Sequence, residues 1–477
     1  MADASHQDHN VARCHRQHFL VVAYGIQSHV NPAQHLARRL ARIDSSILAT
    51  LSVPVAAHRR MFPSAASADR ETSDEAISYV PFSDGFDDGI KPTDAADRAH
   101  GLSTMFQSLS AIVSRLAAQG RPVTCIVSTM AMPSVLGVAR EHGIPLAVYW
   151  TQPATVLAAY YHYFHGYSEL IASHASDPDS EVSLPGLRPL RVRSLPSFVV
   201  DTTGSELSEM IVEAFRELFQ YMDREQTKVL VSTFDGLEAT ALRAMQPYLQ
   251  EVFAIGTMAG PPEARTHLFQ LGNKGYTEWL GAQPERSVVY ISFGSILTYS
   301  RQQMEEILQG MQECGRPYLW VVRKNGLEEE AENFLDDTMN HHQGMVVEWC
   351  DQLEVLSHPS VGCFVTHCGW NSTLEALAFG VPMVAAPNWS DQPTNAFLVE
   401  EEWGAGTRVN RNGEGVVAGE DLAKSVESVM GDCETAVEIR EKANAMKETL
   451  RKVVAPGGPT EKSLQCFAKA MAASKEV

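Results

Sequence analysis

Short apolar runs alternate along the chain with longer stretches in which apolar positions recur at helical spacing, beginning with HFLVVAYG (18–25) and then NPAQHLARRLAR. A brief apolar run followed by a period near 3.6 predicts a strand and then a helix. The alternation recurs at ILATLSVPV, ISYVPF, TCIVSTM (124–130), PLAVYW (145–150) with TQPATVLAAYYHYFHG, and KVLVSTF (228–234) with DGLEATALRAM. Strands that are apolar throughout, with helices between them, predict a mostly parallel sheet covered on both faces.

Residues 254–286 break this rhythm, being richer in Gly and Pro and without a strand pattern, and are expected to be a linker. Beyond them the strands resume at SVVYISFGS (287–295), YLWVVR (318–323), MVVEWC (345–350), VGCFVTHCG (361–369), PMVAAP (382–387) and AGTRV (405–409). Late helices are expected around 419–430, 435–453 and 460–474. The pattern therefore predicts an α/β protein of two doubly wound domains in series, 18–253 and 287–455. A disordered tail at 1–17 precedes them, and a last helix within 456–477 is expected to pack back on the first domain. Ligands of such sheets bind beyond the carboxyl ends of the strands, so the cleft between the domains is the expected site.

At 477 residues the chain exceeds what one core usually supports, which agrees with two domains. Hydrophobic residues at 44% and charged residues at 20% describe an ordinary globular protein. A net charge of −20 argues against a nucleic-acid backbone or an anionic membrane surface as main partner. Cys14, Cys125, Cys314, Cys350, Cys363, Cys368, Cys433 and Cys466 form no C-x-x-C pair, so reduced thiols in the cytoplasm are expected. The first residues lack the apolar core of a signal peptide, and no stretch approaches the about 18 apolar residues of a membrane span. Stable membrane insertion is not expected, and the glycosylation patterns at Asn371 and Asn388 should go unused. The acidic stretch GLEEEAENFLDD (326–337) reads as a solvated loop or helix face, and a monomer is expected.

Chemistry concentrates in VGCFVTHCGWNSTLEALAFGVPMVAAP (361–387), where His367, Cys368 and nearby Glu375 raise metal binding, thiol chemistry or phosphate binding. No second histidine stands four residues from His367 and no acidic cluster accompanies it, as a metal site would need. Gly369 ends a buried strand just before a helix, so free amides and the helix dipole point at the strand's carboxyl end, an arrangement suited to an anion. Ser372-x-x-Glu375 equally fits a capping box, and spacing alone does not separate the two. In the first half, His29 in AYGIQSHVNPAQH is expected in the loop after the first strand, just before a helix. A loop histidine is either merely exposed or a proton acceptor. His18 at the strand start and His35 on the helix are weaker candidates. Aromatics in AAYYHYFHGY (158–167) could wall a pocket, although such spacing more often marks core.

From Trp349 to Gln392 the sequence WCDQLEVLSHPSVGCFVTHCGWNSTLEALAFGVPMVAAPNWSDQ resembles the donor-binding signature of plant family 1 UDP-glycosyltransferases. It carries W-x-x-Q, H-C-G-W-N-S-x-x-E, Pro382 and D-Q in the family's spacing. PFSDGFDDG (81–89), LPGLRPLRVRSLPSF (184–198), STFDGLE (232–238) and SVVYISFGS resemble further landmarks, with groups 74 and 75 of that family nearest in flavour. The resemblance implies the glycosyltransferase B fold, two Rossmann-like domains with the acceptor held by the first and the UDP-sugar by the second. It implies a UDP-glucose donor, no cofactor, no metal, and a small lipophilic plant metabolite as acceptor, giving a β-glucoside or a glucose ester.

Residue by residue, the resemblance implies that Trp349 stacks on uracil, that Gln352 pairs with the base edge, that Cys350 is among the UDP-binding residues, and that Glu375 accepts from the ribose hydroxyls. It places Ser295, His367, Asn371 and Ser372 around the diphosphate, and Thr151, Trp370, Asp391 and Gln392 at the sugar. Trp370 and Gln392 follow the pattern for glucose. For Asp391 and Gln392 the bland alternative is a helix start before Pro393, and for Thr151 a helix N-cap. His29 matches the family's general base. The family usually carries an aspartate after TCIVSTM to orient that base; here Ser128 or Thr129 stands instead, and no Asp occurs between Asp97 and Asp177. Without that carboxylate an imidazolium is less stabilised, so acceptors that are already acidic are expected to be favoured. Two rival readings are a UDP-sugar-binding protein with weakened catalysis, and a C-, N- or S-glucosyltransferase. A nicotinamide oxidoreductase fits poorly, since no G-x-G-x-x-G follows either first strand.

Overall fold

The computed structural model describes residues 17–63, 70–74, 76–89, 94–201, 203–249, 251–257, 275–294, 300–323 and 344–473. In the first half, strands β1 (His18–Val22), β2 (Leu48–Ser52), β3 (Thr72–Ser73), β4 (Ser78–Tyr79), β5 (Cys125–Thr129) and β6 (Leu146–Trp150) are followed by a two-stranded ribbon. The ribbon is β7 (Glu181–Val182) with β8 (Leu190–Arg191), and β9 (Lys228–Val231) and β10 (Val252–Ala254) complete the set. The main sheet runs β10-β9-β6-β5-β1-β2-β4-β3, parallel except for β3 at one edge. In the second half, β11 (Val288–Ser292), β12 (Tyr318–Val321), β13 (Gly344–Val347), β14 (Val361–Thr366), β15 (Met383–Ala385) and β16 (Gly406–Arg408) form a sheet ordered β13-β12-β11-β14-β15-β16. Every pairing in this second sheet is parallel.

Each sheet starts from an interior strand and winds both ways. Strand β1 lies between β2 and β5, with Phe19 in register with Ala49 and Cys125. Strand β11 lies between β12 and β14. The order reverses at those two places, leaving a crevice at the carboxyl ends of the strands. The central strands can be parallel because they are buried on both faces: Val21 is 0% exposed on one face of the first sheet and Leu20 1% on the other, and in the second sheet Ile291 is 0% and Tyr290 1% exposed on its two faces.

The strands expected from sequence are found with trimmed ends. The late helices Gly419–Met430, Glu434–Val453 and Pro459–Ala473 fall where the pattern put them. Pro459–Ala473 packs on the first sheet, with Phe467 5.9 Å from Phe19 and 5.6 Å from Phe253 between ring centroids. The aromatics of 158–167 are mainly core, Tyr160 being fully buried and stacked 4.5 Å from Phe215. In the stretch read as linker, Ala254 closes β10 and a helix spans Gly275–Gly281, while 258–274 lie outside the described residues. The tail 1–16 and the acidic stretch 326–337 lie outside them as well.

Candidate active site

The carboxyl ends of both sheets face one cavity of about 280 Å³. Gln27, His29, Met130 and Thr151 line it from one side, and Gly294, Trp349, His367 and Glu375 from the other.

Four consecutive residues after β13 take four different directions. Trp349 lines the cavity, half-buried. Cys350 turns inward with its sulfur 3.4 Å from the Tyr290 hydroxyl, and burial pushes its thiol up to about 12. Asp351 caps the helix Gln352–Leu356, its Oδ1 accepting from the Leu353 and Glu354 amides. Gln352 projects sideways: Nε2 donates to Ser372 Oγ at 3.0 Å and to Glu375 Oε2 at 2.7 Å, and Oε1 accepts from the Tyr290 hydroxyl at 3.2 Å. Base-edge, phosphate and ribose candidates are thus already one hydrogen-bonded set.

After β14 the chain turns at Cys368, which sits in the left-handed region at φ 58. Its amide donates to Thr366 Oγ1 at 3.2 Å and its carbonyl accepts from Asn395 Nδ2 at 2.7 Å. Burial pushes the Cys368 thiol up to about 12, so it stays protonated and unsuited to thiolate chemistry. The same turn seats His367 between two glycines. A Cβ would fall 2.7 Å from its ring if added at Gly294 and 2.5 Å if added at Gly369. Burial pulls His367 down to about 4, the Ser292 backbone pulling the other way, so the imidazole is neutral at pH 7. The helix Trp370–Phe379 begins with Gly369 at its N-cap and no side-chain cap. Ser372 is therefore its third residue, and the capping box allowed by spacing does not form. Ser295, expected at the diphosphate, lies outside the described residues.

On the opposite wall the helix Gln27–Ile43 starts before Asn31 and Pro32, so His29 stands in its first turn and not in the preceding loop. The N-cap is Ile26, extended and without a side-chain bond, which is why no polar start signal marked it. His29 Nδ1 is 3.1 Å from Thr129 Oγ1. Ser128 turns away and donates to the Met130 carbonyl at 3.2 Å, so of the two only Thr129 touches the imidazole. Tyr24 meets the ring edge-on at 5.3 Å and its hydroxyl donates to the Ala131 carbonyl at 2.5 Å. Burial pulls His29 down to about 4. With Nδ1–H donating to Thr129, the Nε2 lone pair is left to take a proton. His18 bonds the Arg121 carbonyl and Thr50 Oγ1, a structural role in the sheet.

Thr151 lines the cavity at 7% exposure and is not a helix N-cap, since that position belongs to Pro153. The open amides of that helix, Ala154–His162, are taken by the buried carboxylate of Glu238, at 3.0 Å from Ala154 N and 2.9 Å from Thr155 N. Asp391 precedes the helix Gln392–Phe397 but does not cap it with its side chain, accepting instead from Asn395 Nδ2 at 2.7 Å. Burial pushes Asp391 up to about 6. Gln392 Oε1 accepts from the amides of Asn388 and Trp389, closing that loop on itself. Trp370 is 3% exposed and commits its indole N–H to the Ser232 carbonyl at 2.8 Å, so it contributes surface rather than a hydrogen bond.

Several contacts join the halves around this cavity. Ser390 and Ser197 exchange hydrogen bonds at 2.7 and 2.9 Å, Gln152 Nε2 donates to Ser390 Oγ at 3.3 Å, and Asn371 Nδ2 donates to the Ser28 carbonyl at 3.0 Å. Trp403 Nε1 donates to the Leu237 carbonyl at 3.2 Å, beside the Trp370 bond. Gln152, Ser197, Glu238, Tyr290 and Ser390 had no role in the sequence reading. All but Tyr290 act through partners more than 80 residues away in the chain, and Tyr290 reads only as one more apolar strand residue.

Residues 265–447 match the family model described as UDP-glucoronosyl and UDP-glucosyl transferase. Crocetin glucosyltransferase, chloroplastic, of Gardenia jasminoides is 41% identical over 95% of this chain and 97% of its own length. UDP-glycosyltransferase 75C1 of Solanum lycopersicum is 42% identical over 94% of this chain and 97% of its own. Among solved structures, UDP-glucose: anthocyanidin 3-O-glucosyltransferase in complex with UDP superposes with a TM-score of 0.81 at 25% identity, covering 96% of this chain and 99% of that one. Os79 of O. sativa in complex with UDP gives 0.79 at 28% identity, covering 95% and 100%. With two tandem doubly wound sheets, one shared cleft and relatives at this identity along nearly its whole length, the chain belongs to the plant UDP-glycosyltransferases of glycosyltransferase B fold.

Proposed function

We propose that the chain transfers glucose from UDP-glucose to an oxygen of a small lipophilic plant metabolite with inversion, His29 taking the acceptor's proton. The relatives named above, and phloretin 4'-O-glucosyltransferase of Malus domestica at 39% identity, support this donor and this class of acceptor. The acceptor oxygen attacks the anomeric carbon, its proton passes to His29 Nε2, and UDP leaves from the opposite face. Trp349 stacks on uracil, Gln352 meets the base edge, and Glu375 takes the ribose hydroxyls. The departing diphosphate is stabilised by neutral His367, Ser372, Asn371, Ser295 and the amides of the helix Trp370–Phe379. Thr151, Asp391 and Gln392 read the sugar, with Trp370 behind them as a wall.

The observation that carries this reading is the His29–Thr129 pair, which holds a neutral imidazole in the cavity opposite the donor-side residues. A threonine fixes the ring's orientation but adds no negative charge to stabilise an imidazolium, so carboxylic acids and acidic phenols are the acceptors we expect to react fastest. His29→Ala should lower turnover of a neutral phenol by about 100-fold or more, the range of general base catalysis, while UDP affinity measured by calorimetry stays within about twofold. Near-normal turnover would remove His29 from the role. The working compartment we assign is the cytoplasm, with the enzyme a monomer and the domain limits those of the sequence reading. Among the described residues no helix is long and apolar enough to cross a membrane, and one relative carries the word chloroplastic in its name.

A further inference from the structure

An α-helical carbonyl ordinarily accepts from the amide four residues on. For Ser28, in the first turn of Gln27–Ile43, that residue is Pro32, which has no N–H to give. The Ser28 carbonyl is thus released from the helix one residue before His29, at the cavity wall. It is the atom that receives Asn371 Nδ2, at 3.0 Å, from the first turn of the donor-side helix Trp370–Phe379. Pro32 is a buried interior residue of its helix. Proline there costs about 3 kcal/mol against alanine in a helix interior, so its presence calls for a reason other than helix stability.

We propose that Pro32 and Asn371 form an interdomain latch: proline keeps the Ser28 carbonyl open, Asn371 takes it, and the bond sets the distance between His29 and the sugar donor. Both are positioning residues in this respect. The inference rests on His29 being the base, and it adds to Asn371 a task beyond the diphosphate. Latching requires the halves to be closed together, so it acts on the step in which acceptor and donor meet and not on the binding of UDP by the second domain.

The test is Pro32→Ala in the full chain. Alanine restores an N–H at position 32, which closes the helical bond to Ser28 and competes with Asn371. Turnover with saturating UDP-glucose and a phenolic acceptor should fall about threefold to tenfold, the rate equivalent of one net hydrogen bond. KM for UDP-glucose and the dissociation constant of UDP should stay within about twofold, and the melting temperature should hold or rise. A structural role alone predicts the reverse, lost stability with turnover per folded molecule unchanged. Asn371→Ala and the double variant close the cycle: once Asn371 is gone, Pro32→Ala should have no further effect on kcat. A Pro32→Ala enzyme with wild-type kcat, or additive losses in the cycle, overturns the latch. Wild-type consumption of UDP-glucose in the same assay separates that outcome from failure of the catalytic reading, which His29→Ala tests independently.

Discussion

His29, His367 and Asp391 bring three shifted acid–base equilibria into one cleft. Burial draws both imidazoles down to about 4 and pushes the carboxyl up to about 6. A histidine titrating that low remains a free base across the neutral range, so it produces no acid limb there. Asp391 does titrate there, and below about 6 it is protonated and loses an acceptor for a sugar hydroxyl. Rates at sub-saturating UDP-glucose should therefore fall as pH drops through about 6, while kcat at saturating donor stays flatter. An acid limb confined to kcat would count against Asp391 as an acceptor for the sugar. Stability has its own sign. The folded imidazoles bind protons less readily than the unfolded ones at 6.5, so the fold weakens as pH falls from about 6.5 toward about 4. Asp391, whose folded value lies above its ordinary 3.8, partly offsets this between about 6 and 3.8. Much of the residue level was legible: 349–392 is nearly contiguous, so its chemistry could be read by spacing. What stayed hidden was pairing across the fold. Ser128 and Thr129 differ by one position, and in a strand adjacent residues face opposite ways, so only the structure separates the one that meets His29 from the one that does not.

The elements carrying the site are set by small residues as much as by apolar ones. His367 keeps its place because Gly294, in the left-handed region at φ +79, and Gly369 leave room for the ring. Gly369→Ala needs no unusual backbone, since φ there is −58, but its methyl would sit 2.5 Å from the imidazole. We expect the melting temperature to drop by a few degrees, the mark of an overpacking cost of about 1–3 kcal/mol, and UDP affinity to fall by about tenfold as the ring is displaced; calorimetric titration with UDP checks it, and unchanged affinity would mean that His367 does not touch the ligand. Strand existence was readable because buried parallel strands are apolar throughout. Their ends were not, because apolarity continues past the strand: β1 ends at Val22 with one further bond, from the Ala23 amide to the Ser52 carbonyl, while the apolar run goes on to Tyr24. The two-residue strands of the ribbon Glu181–Val182 and Leu190–Arg191 carry no period at all, and the helix that carries His29 lacks a polar cap to announce its start.

At the scale of the molecule, two domains share more than a cleft. The chain passes from the first sheet at Ala254 to the second, then returns through Pro459–Ala473 to cover Phe19 and Phe253. Arg39 ties both crossings, donating to the Ile255 carbonyl at 2.6 Å and the Thr460 carbonyl at 3.3 Å. Phe467 is 0% exposed in that seam. Phe467→Ala should cost about 3–5 kcal/mol, measured by denaturant unfolding, and should destabilise the acceptor side while a UDP-loaded second domain holds. Equal loss in both halves would mean that the seam is not a property of the first domain. The pattern of the sequence announced this helix but could not announce its destination, because Phe467 and Phe19 stand at opposite ends of the chain.

That destination sets an order of assembly. Domains emerging from the ribosome ordinarily fold in turn, the first before the second is made. Here the face of β1 that bears Phe19 and Val21 is covered in part by the helix Gln27–Ile43, and Leu464, Phe467 and Met471 complete that cover only when the last helix has been translated. The first domain to be synthesised is thus the last to be completed. Throughout that interval the strip beside Phe19 and Phe253, which Phe467 later covers, is the apolar surface left for a nascent-chain chaperone.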